Sequence, residues 1–196
     1  MKKNNMYNKE KVKNATEMLL EGFGLDHPND PNCKETPQRV AKMYEVLVGG
    51  YDIDPKIYLK TFPATSDDMV TLTNVPFYSF CSHHLLPFIG KLHIAYIPDG
   101  KVVGISKLVR FARIYAKRLN LQEDLTQNIA NVLFEELGAK GVIVRVEASH
   151  MCMVIRGVRS QGATMVTTAK RGTFKNDQNL LNEFNLACKN EGSFSY

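Results

Sequence analysis

The amino-acid sequence predicts an α+β protein in which an antiparallel sheet carries its helices on one face. Residues 1–66 are dominated by helical patterns, whereas strand-like segments appear from about residue 67 onward. Beyond that point the predicted order is β-β-α-α-β-β, and hairpins of strands around a helix pair are typical of this class. We therefore predict an N-terminal helical segment over 1–66 and a sheet domain over 67–196. The second face of the sheet would be bare, which suggests assembly.

Two helices are predicted in the N-terminal segment. Residues 8–23 place apolar side chains at helical spacing and end at glycines. Thr36 is suited to cap free backbone amides at the start of the second helix, and Pro37 fits its first position. That helix should stop at Gly49 and Gly50.

Strand patterns begin in the sheet domain. Residues 69–80 are rich in β-branched and aromatic side chains, and residues 91–98 alternate apolar and other side chains before a Pro-Asp-Gly turn. Two further strands are predicted over 141–157 and 163–172, after the helix pair.

The helix pair lies between these strands. Ser106 is the predicted cap of the first helix, whose apolar stripe follows directly. The second should run over residues 122–137 and close at Gly138. A last helix is predicted over 179–188.

Composition excludes several classes of protein. The chain has 196 residues and a formal net charge of +5, and no segment approaches the roughly 18 continuous apolar residues of a membrane helix. We predict a cytoplasmic protein that binds neither membrane nor nucleic acid, because no basic run accompanies the mild positive charge. The four cysteines should then be reduced.

Cysteines and histidines form a candidate metal site. Cys81 and His84 are separated by two residues after a strand, a spacing that lets a turn bring both donors to one ion. If residues 141–157 form a strand, then His150, Cys152 and Arg156 share one face. Cys152 would complete a Cys2His zinc site whose open position is typical of catalytic zinc. The alternative is that both cysteines are buried core residues.

The residues around this site resemble a known family. The segments FYSFCSHHLLPFIGKLHIAYIPDGKVVGISKLVRFARIYAKRLNLQEDLTQ, ASHMCMVIRGV and ETPQRVAKMY are similar to type I GTP cyclohydrolase, and the resemblance covers roughly residues 33–188. It implies the tunnelling fold and toroidal homodecamers with active sites at subunit interfaces. Two positions depart from the family's pattern, since Ser82 replaces its usual Glu and Asp124 its usual Arg.

The resemblance also implies a role for each site residue. Cys81, His84 and Cys152 would bind zinc, and His83 and His150 would be catalytic. The guanine would be read by Glu123, with Gln122 beside it. The other substrate contacts would be Ser106 at the ribose phosphate and, at the triphosphate, Lys107, Arg110, Arg156 and Arg39.

The expected reaction is a hydrolysis of GTP. Zinc lowers the pKa of water that it binds, which suits hydrolytic opening of the guanine imidazole ring. The products would be formate and 7,8-dihydroneopterin 3'-triphosphate, at the first step of folate and pterin biosynthesis. No G-x-x-x-x-G-K-[ST] loop is present, which favours GTP as a substrate for ring opening.

Two other interpretations remain open at this point. A zinc-stabilised interaction or nucleic-acid module would explain the charge and the Cys/His content, but the fourth closing ligand of such a module is missing. A tunnelling-fold relative that processes pterins or reduces a nitrile is the second. The complete set of three ligands and two histidines argues against it.

Overall fold

The computed structural model describes residues 7–189, which fall into two compact units. The first ends at Asp54 and the second begins at Pro55, ahead of the predicted boundary between residues 66 and 67. Strand β1 (Thr61–Pro63) explains the difference, because it pairs with strand β4 (Lys101–Val103) of the second unit.

The first unit contains two helices, α1 (Lys9–Gly22) and α2 (Thr36–Leu47), followed by a 3-10 helix over Gly49–Asp52. The Asn8 side chain caps α1 by accepting a hydrogen bond from the amide of Lys11. Thr36 is the first residue of α2, so its predicted role as cap is wrong. The preceding turn leads directly into the helix, and the carbonyl of Glu35 accepts the hydrogen bond of the Arg39 amide.

A five-stranded sheet forms the second unit, in the order β5-β2-β3-β6-β7. All neighbouring strands are antiparallel except β5, which is parallel to β2, so the sheet is mixed and the predicted antiparallel sheet is wrong at this edge. Two-residue strands such as β5 leave no periodicity to detect. The strands are β2 (Val70–Cys81), β3 (Pro87–Ile97), β5 (Leu119–Asn120), β6 (Gly141–His150) and β7 (Met165–Gly172).

Helices cover both faces of this sheet. Helices α3 (Ile105–Ala116) and α4 (Gln122–Leu137) pack on one face, where Phe111 and Ile129 join the core with Ile94. Helix α6 (Gln178–Lys189) packs part of the other, with Phe184 against Ile143. The prediction of helices on one face only is therefore wrong, because the second face also carries apolar side chains that need burial. Two 3-10 helices, Pro55–Tyr58 and Thr173–Lys175, complete the unit.

The ends of the helix pair test two local predictions. Helix α4 has the predicted bounds, and Gly138 ends it in the left-handed conformation with φ 57°. Helix α3 begins at Ile105, so Ser106 lies inside its first turn and the predicted cap at Ser106 is wrong. Gly104 precedes the helix in extended geometry, and no side chain makes a capping hydrogen bond.

Strand β6 ends at His150, and the predicted strand beyond it is wrong. A one-turn helix, α5 (Met151–Val154), follows directly. His150 pairs with Phe88 near the start of β3, and β7 already begins opposite Ala148. Residues after 150 therefore have no neighbouring strand to bond with, and the chain turns. Among the described residues, no helix is long and apolar enough to cross a membrane.

Candidate metal centre and the histidine beside it

Three side chains converge where β2 and β6 end. Cys81 closes β2, His84 lies in the turn that follows, and Cys152 lies in α5. One donor atom from each lies within 4.8 Å of the others, and the Cys81 Sγ to His84 Nδ1 distance is 3.8 Å. The turn is closed by a hydrogen bond from the Leu85 amide to the Cys81 carbonyl. The structure thus brings together all three predicted ligands.

The donor set is suited to a zinc ion. Thiolate and imidazole are the ligands that zinc prefers, and three protein donors are typical of catalytic zinc sites. Burial, and secondarily the neighbouring Cys81, raise the pKa of the Cys152 thiol above 9.0. Its thiolate therefore needs a nearby cation at neutral pH. No fourth Cys, His, Asp or Glu joins the group within residues 7–189.

Arg156 lies against this cluster. Its Nη1 is 3.1 Å from His84 Nε2. The strand predicted over residues 141–157 would place Arg156 roughly 13 Å from Cys152, but β6 ends at His150, so this prediction is wrong. Because α5 turns the chain back, the guanidinium reaches the turn that carries His84.

His150 is held by two contacts. Its ring stacks on Phe88 with centroids 4.5 Å apart and an interplanar angle of 6°, and its Nε2 is 2.8 Å from Oε1 of Gln122. Burial lowers the pKa of His150, while the charge of Glu123 raises it. Glu123 is therefore close enough for its charge to act on the imidazole of His150.

Gln122 is almost fully buried, with 1% of its surface exposed. Its Nε2 donates to the carbonyls of Val146 and Met165 and to Oγ1 of Thr167, each at 3.1 Å. Its amide is thus engaged by the protein itself. Glu123, the next residue, is exposed in the first turn of α4.

His83 is exposed beside His84, with ring centroids 6.2 Å apart. It belongs to the same turn as the candidate ligand, as its position in the sequence predicted. The structure therefore brings both predicted catalytic histidines to the end of the sheet that carries the cysteines.

The predicted phosphate contacts on α3 lie elsewhere. The helix starts near the opposite end of β3, because the amide of Val103 donates to the hydroxyl of Tyr96 at 3.1 Å. Tyr96 lies roughly 27 Å along β3 from Phe88, at about 3.4 Å per residue. Within one chain, the structure therefore does not bring three of the predicted contacts to the cysteine cluster, namely Ser106, Lys107 and Arg110. Arg39 lies in the first unit, on α2, where it pairs with Glu35 at 2.7 Å.

Two contacts of this site were missed from the sequence. Phe88 lies ahead of the strand predicted over residues 91–98, and no sequence signal indicates the hydrogen-bonded pair Thr126 and Thr167. Their roles depend on which strands become neighbours and in which register. Alternation along residues 87–97 signals only that Phe88 faces the core.

Comparison with known proteins decides the family. The sequence model of the family described as GTP cyclohydrolase I matches residues 12–189. The chain belongs to the GTP cyclohydrolase I family. The GTP cyclohydrolase 1 of Clostridium perfringens (strain 13 / Type A) is 49% identical over 179 residues, covering 91% of this chain and 96% of that protein. The enzyme of the same name from Finegoldia magna is 48% identical over 176 residues, covering 89% and 95%.

A solved structure shows weaker similarity to this member of the GTP cyclohydrolase I family. The archaeosine synthase QueF-Like in the apo form matches with a TM-score of 0.46 and 19% sequence identity. The match covers 55% of this chain and 97% of that chain.

Proposed function

We infer that this protein is a GTP cyclohydrolase I, a hydrolase that opens the guanine imidazole ring of GTP and releases formate. The other product is 7,8-dihydroneopterin 3'-triphosphate, at the first step of folate and pterin biosynthesis. Family membership supports the reaction. The observation that carries the assignment is the three-donor cluster beside His150, because hydrolytic ring opening needs activated water and a proton carrier together.

Cys81, His84 and Cys152 would hold a zinc ion. The fit rests on their donor chemistry and on their separation, within 4.8 Å. When bound, zinc supplies water activation near neutral pH.

His150 would move a proton at N7 of the guanine. Stacking on Phe88 and the hydrogen bond to Gln122 fix the plane and direction of its ring. His83, exposed on the ligand turn, would assist proton movement at the edge of the same site.

Glu123 would read the guanine. The base offers two adjacent donors, N1–H and the exocyclic amino group, and a carboxylate can accept both hydrogen bonds. Adenine lacks this pair and would leave the carboxylate unpaired. Glu123 is near enough to raise the pKa of His150, so one bound base would contact both residues. The side-chain amide of Gln122 makes its hydrogen bonds within the protein, so Gln122 would affect guanine binding only through the residues that it contacts.

The triphosphate would be bound by two copies of the chain. Arg156 lies at the cysteine cluster, whereas Ser106, Lys107 and Arg110 lie at the other end of the sheet. A complete site therefore requires a second subunit, which supports a homo-oligomer with active sites at subunit interfaces. Arg39 would add a further cation. The sheet order ends at β7, and such an edge strand can pair with another copy.

The family's tunnelling fold and decamer are the arrangement we propose for this assembly. Strands of neighbouring subunits would continue one another's sheets into a barrel. A cytoplasmic location is also proposed, consistent with four free cysteines in the described chain.

The reaction can be tested with purified protein and GTP. We expect formate and a pterin that becomes fluorescent on oxidation, in equal amounts. His150→Ala should abolish both products, whereas His27→Gln, a histidine change in the first unit, should leave them unchanged. Ring opening at the normal rate by His150→Ala would remove His150 from the mechanism, and failure of the zinc-loaded wild type to release formate would refute the function.

A further inference from the structure

The side-chain amide of Gln122 can adopt only one orientation. Two of the three acceptors around its Nε2 are backbone carbonyls, those of Val146 and Met165, which cannot donate a hydrogen bond. Rotating the amide by half a turn would place Oε1 against both carbonyl oxygens. Because Gln122 is buried, water could not compensate for the lost hydrogen bonds.

Two hydroxyl groups, those of Thr126 and Thr167, require the same orientation of the Gln122 amide at its third acceptor. The carbonyl of Gln122 accepts from Thr126 Oγ1 at 2.7 Å, which uses the only hydroxyl proton of Thr126. In the hydrogen bond of 2.6 Å between the two hydroxyls, Thr167 must then donate and Thr126 must accept. Thr167 Oγ1 is left to accept from Gln122 Nε2. Nε2 has two protons for its three acceptors, so at least one proton is shared between two of them, and all three contacts require the NH2 group at this position.

The orientation of the amide determines the tautomer of His150. Gln122 presents Oε1, which can only accept, to His150 Nε2 at 2.8 Å. Nε2 must therefore carry a proton, and in the neutral imidazole Nδ1 then has the free lone pair. Among the described residues, the buried side-chain nitrogens without a partner are His27 Nδ1 and His93 Nε2. Nδ1 of His150 makes no hydrogen bond within residues 7–189 and is not among these nitrogens, so it is at least partly exposed.

We propose that Gln122 is a positioning residue that holds His150 as the Nε2–H tautomer, so that Nδ1 is the atom that exchanges a proton with the substrate. The inference rests on the proposed role of His150 in ring opening, and it replaces the expectation that the Gln122 side chain reads guanine. Gln122 accepts the same hydrogen bond whether Nδ1 is protonated or free. It therefore keeps the ring in place throughout a proton transfer.

The tautomer can be measured without any reaction. Protein labelled with 15N in its five histidines is examined by solid-state NMR, and the His150 signals are assigned by their loss in His150→Asn. The shifts of N–H and lone-pair nitrogens differ widely. We expect His150 of the wild type to show Nε2–H and a free Nδ1. A proton on Nδ1 of the neutral ring in the wild type would overturn the inference, even if formate is released.

Gln122→Met keeps the length of the side chain but removes both hydrogen-bonding groups. We expect the His150 signals to split between both tautomers. We also expect kcat to fall roughly ten- to hundredfold, part of the 10²–10⁴ typical of general acid–base catalysis, with little change in the KM for GTP. Gln127→Met makes the same change on the exposed side of α4 and should leave tautomer and kcat unchanged.

These outcomes separate the inference from the proposed function. Wild-type protein with the expected tautomer but without formate release would refute the function and leave the positioning role. Formate release with an unchanged kcat in Gln122→Met would overturn the positioning role and leave the function. If Gln122→Met does not fold, the wild-type tautomer still decides.

Discussion

The separation between α3 and the cysteine cluster predicts complementation between two inactive variants. Lys107→Ala removes a proposed phosphate contact at the start of α3, and His150→Ala removes the proposed proton carrier. The two positions lie near opposite ends of a sheet segment roughly 27 Å long, several times the reach of a side chain. Each variant should therefore be inactive alone, although both would retain one intact half of a shared site.

The size of the recovery follows from symmetry. If the variants assemble at random in equal amounts, half of the sites receive an intact His150 and half of these also receive an intact Lys107 from a neighbour. About one quarter of the sites should then be complete. We would co-express the two chains with different affinity tags, purify through both tags and measure formate release from GTP.

A matched pair controls for nonspecific rescue. Lys107→Ala mixed with Arg110→Ala places both lesions in the same half of the site, so no mixed oligomer contains a complete site and activity should stay at background. Absence of recovery in the oligomers that combine His150→Ala with Lys107→Ala would refute the shared site and require one chain to supply both halves.

Three further predictions concern pH, base recognition and stability. Burial lowers the pKa of His93, so as the pH falls below 6.5 the unfolded chain gains a proton that the folded chain does not. The wild type should therefore lose up to about 1.4 kcal/mol of unfolding free energy per pH unit in this range, relative to His93→Gln. Urea titrations that give both proteins the same dependence of unfolding free energy on pH would contradict this. On a His150→Ala background, Glu123→Ala should weaken GTP binding by about 2 kcal/mol, roughly thirtyfold, whereas unchanged calorimetric affinity would exclude Glu123 as the guanine reader. Gly138→Ala, at φ 57°, should cost about 1 kcal/mol and lower the Tm, while Gly22→Ala, whose added Cβ meets no atom within 4 Å, should not.

Local signals explain the parts of the fold that the sequence predicted well. The period of apolar residues and a following glycine were enough to locate α4 from Gln122 to Leu137. The spacing of Cys81 and His84 likewise needs only one turn, closed between neighbouring residues. These features depend on a few consecutive positions, which a single sequence displays directly.

Features set by distant partners were not predictable in this way. The apolar run after His150 resembles a continuing strand, but β6 stops there because β3 and β7 offer no further partners. The contact between Gln122 and His150 depends on how α4 packs against β6. The distance of α3 from the cysteine cluster depends on the direction of that helix across the sheet, which no local pattern specifies.

We propose that two thiolates and one imidazole of this chain bind a zinc ion that ring opening requires. X-ray absorption at the zinc edge, on protein with its metal content measured, tests it most directly. We predict one zinc per chain with two sulfur ligands at about 2.3 Å and one histidine nitrogen at about 2.0 Å. In Cys152→Ala, any zinc that remains bound should have one sulfur ligand fewer, and formate release should be lost. A zinc ion bound by four protein ligands, or full formate release by Cys152→Ala, would contradict the proposal that this ion is the catalytic zinc.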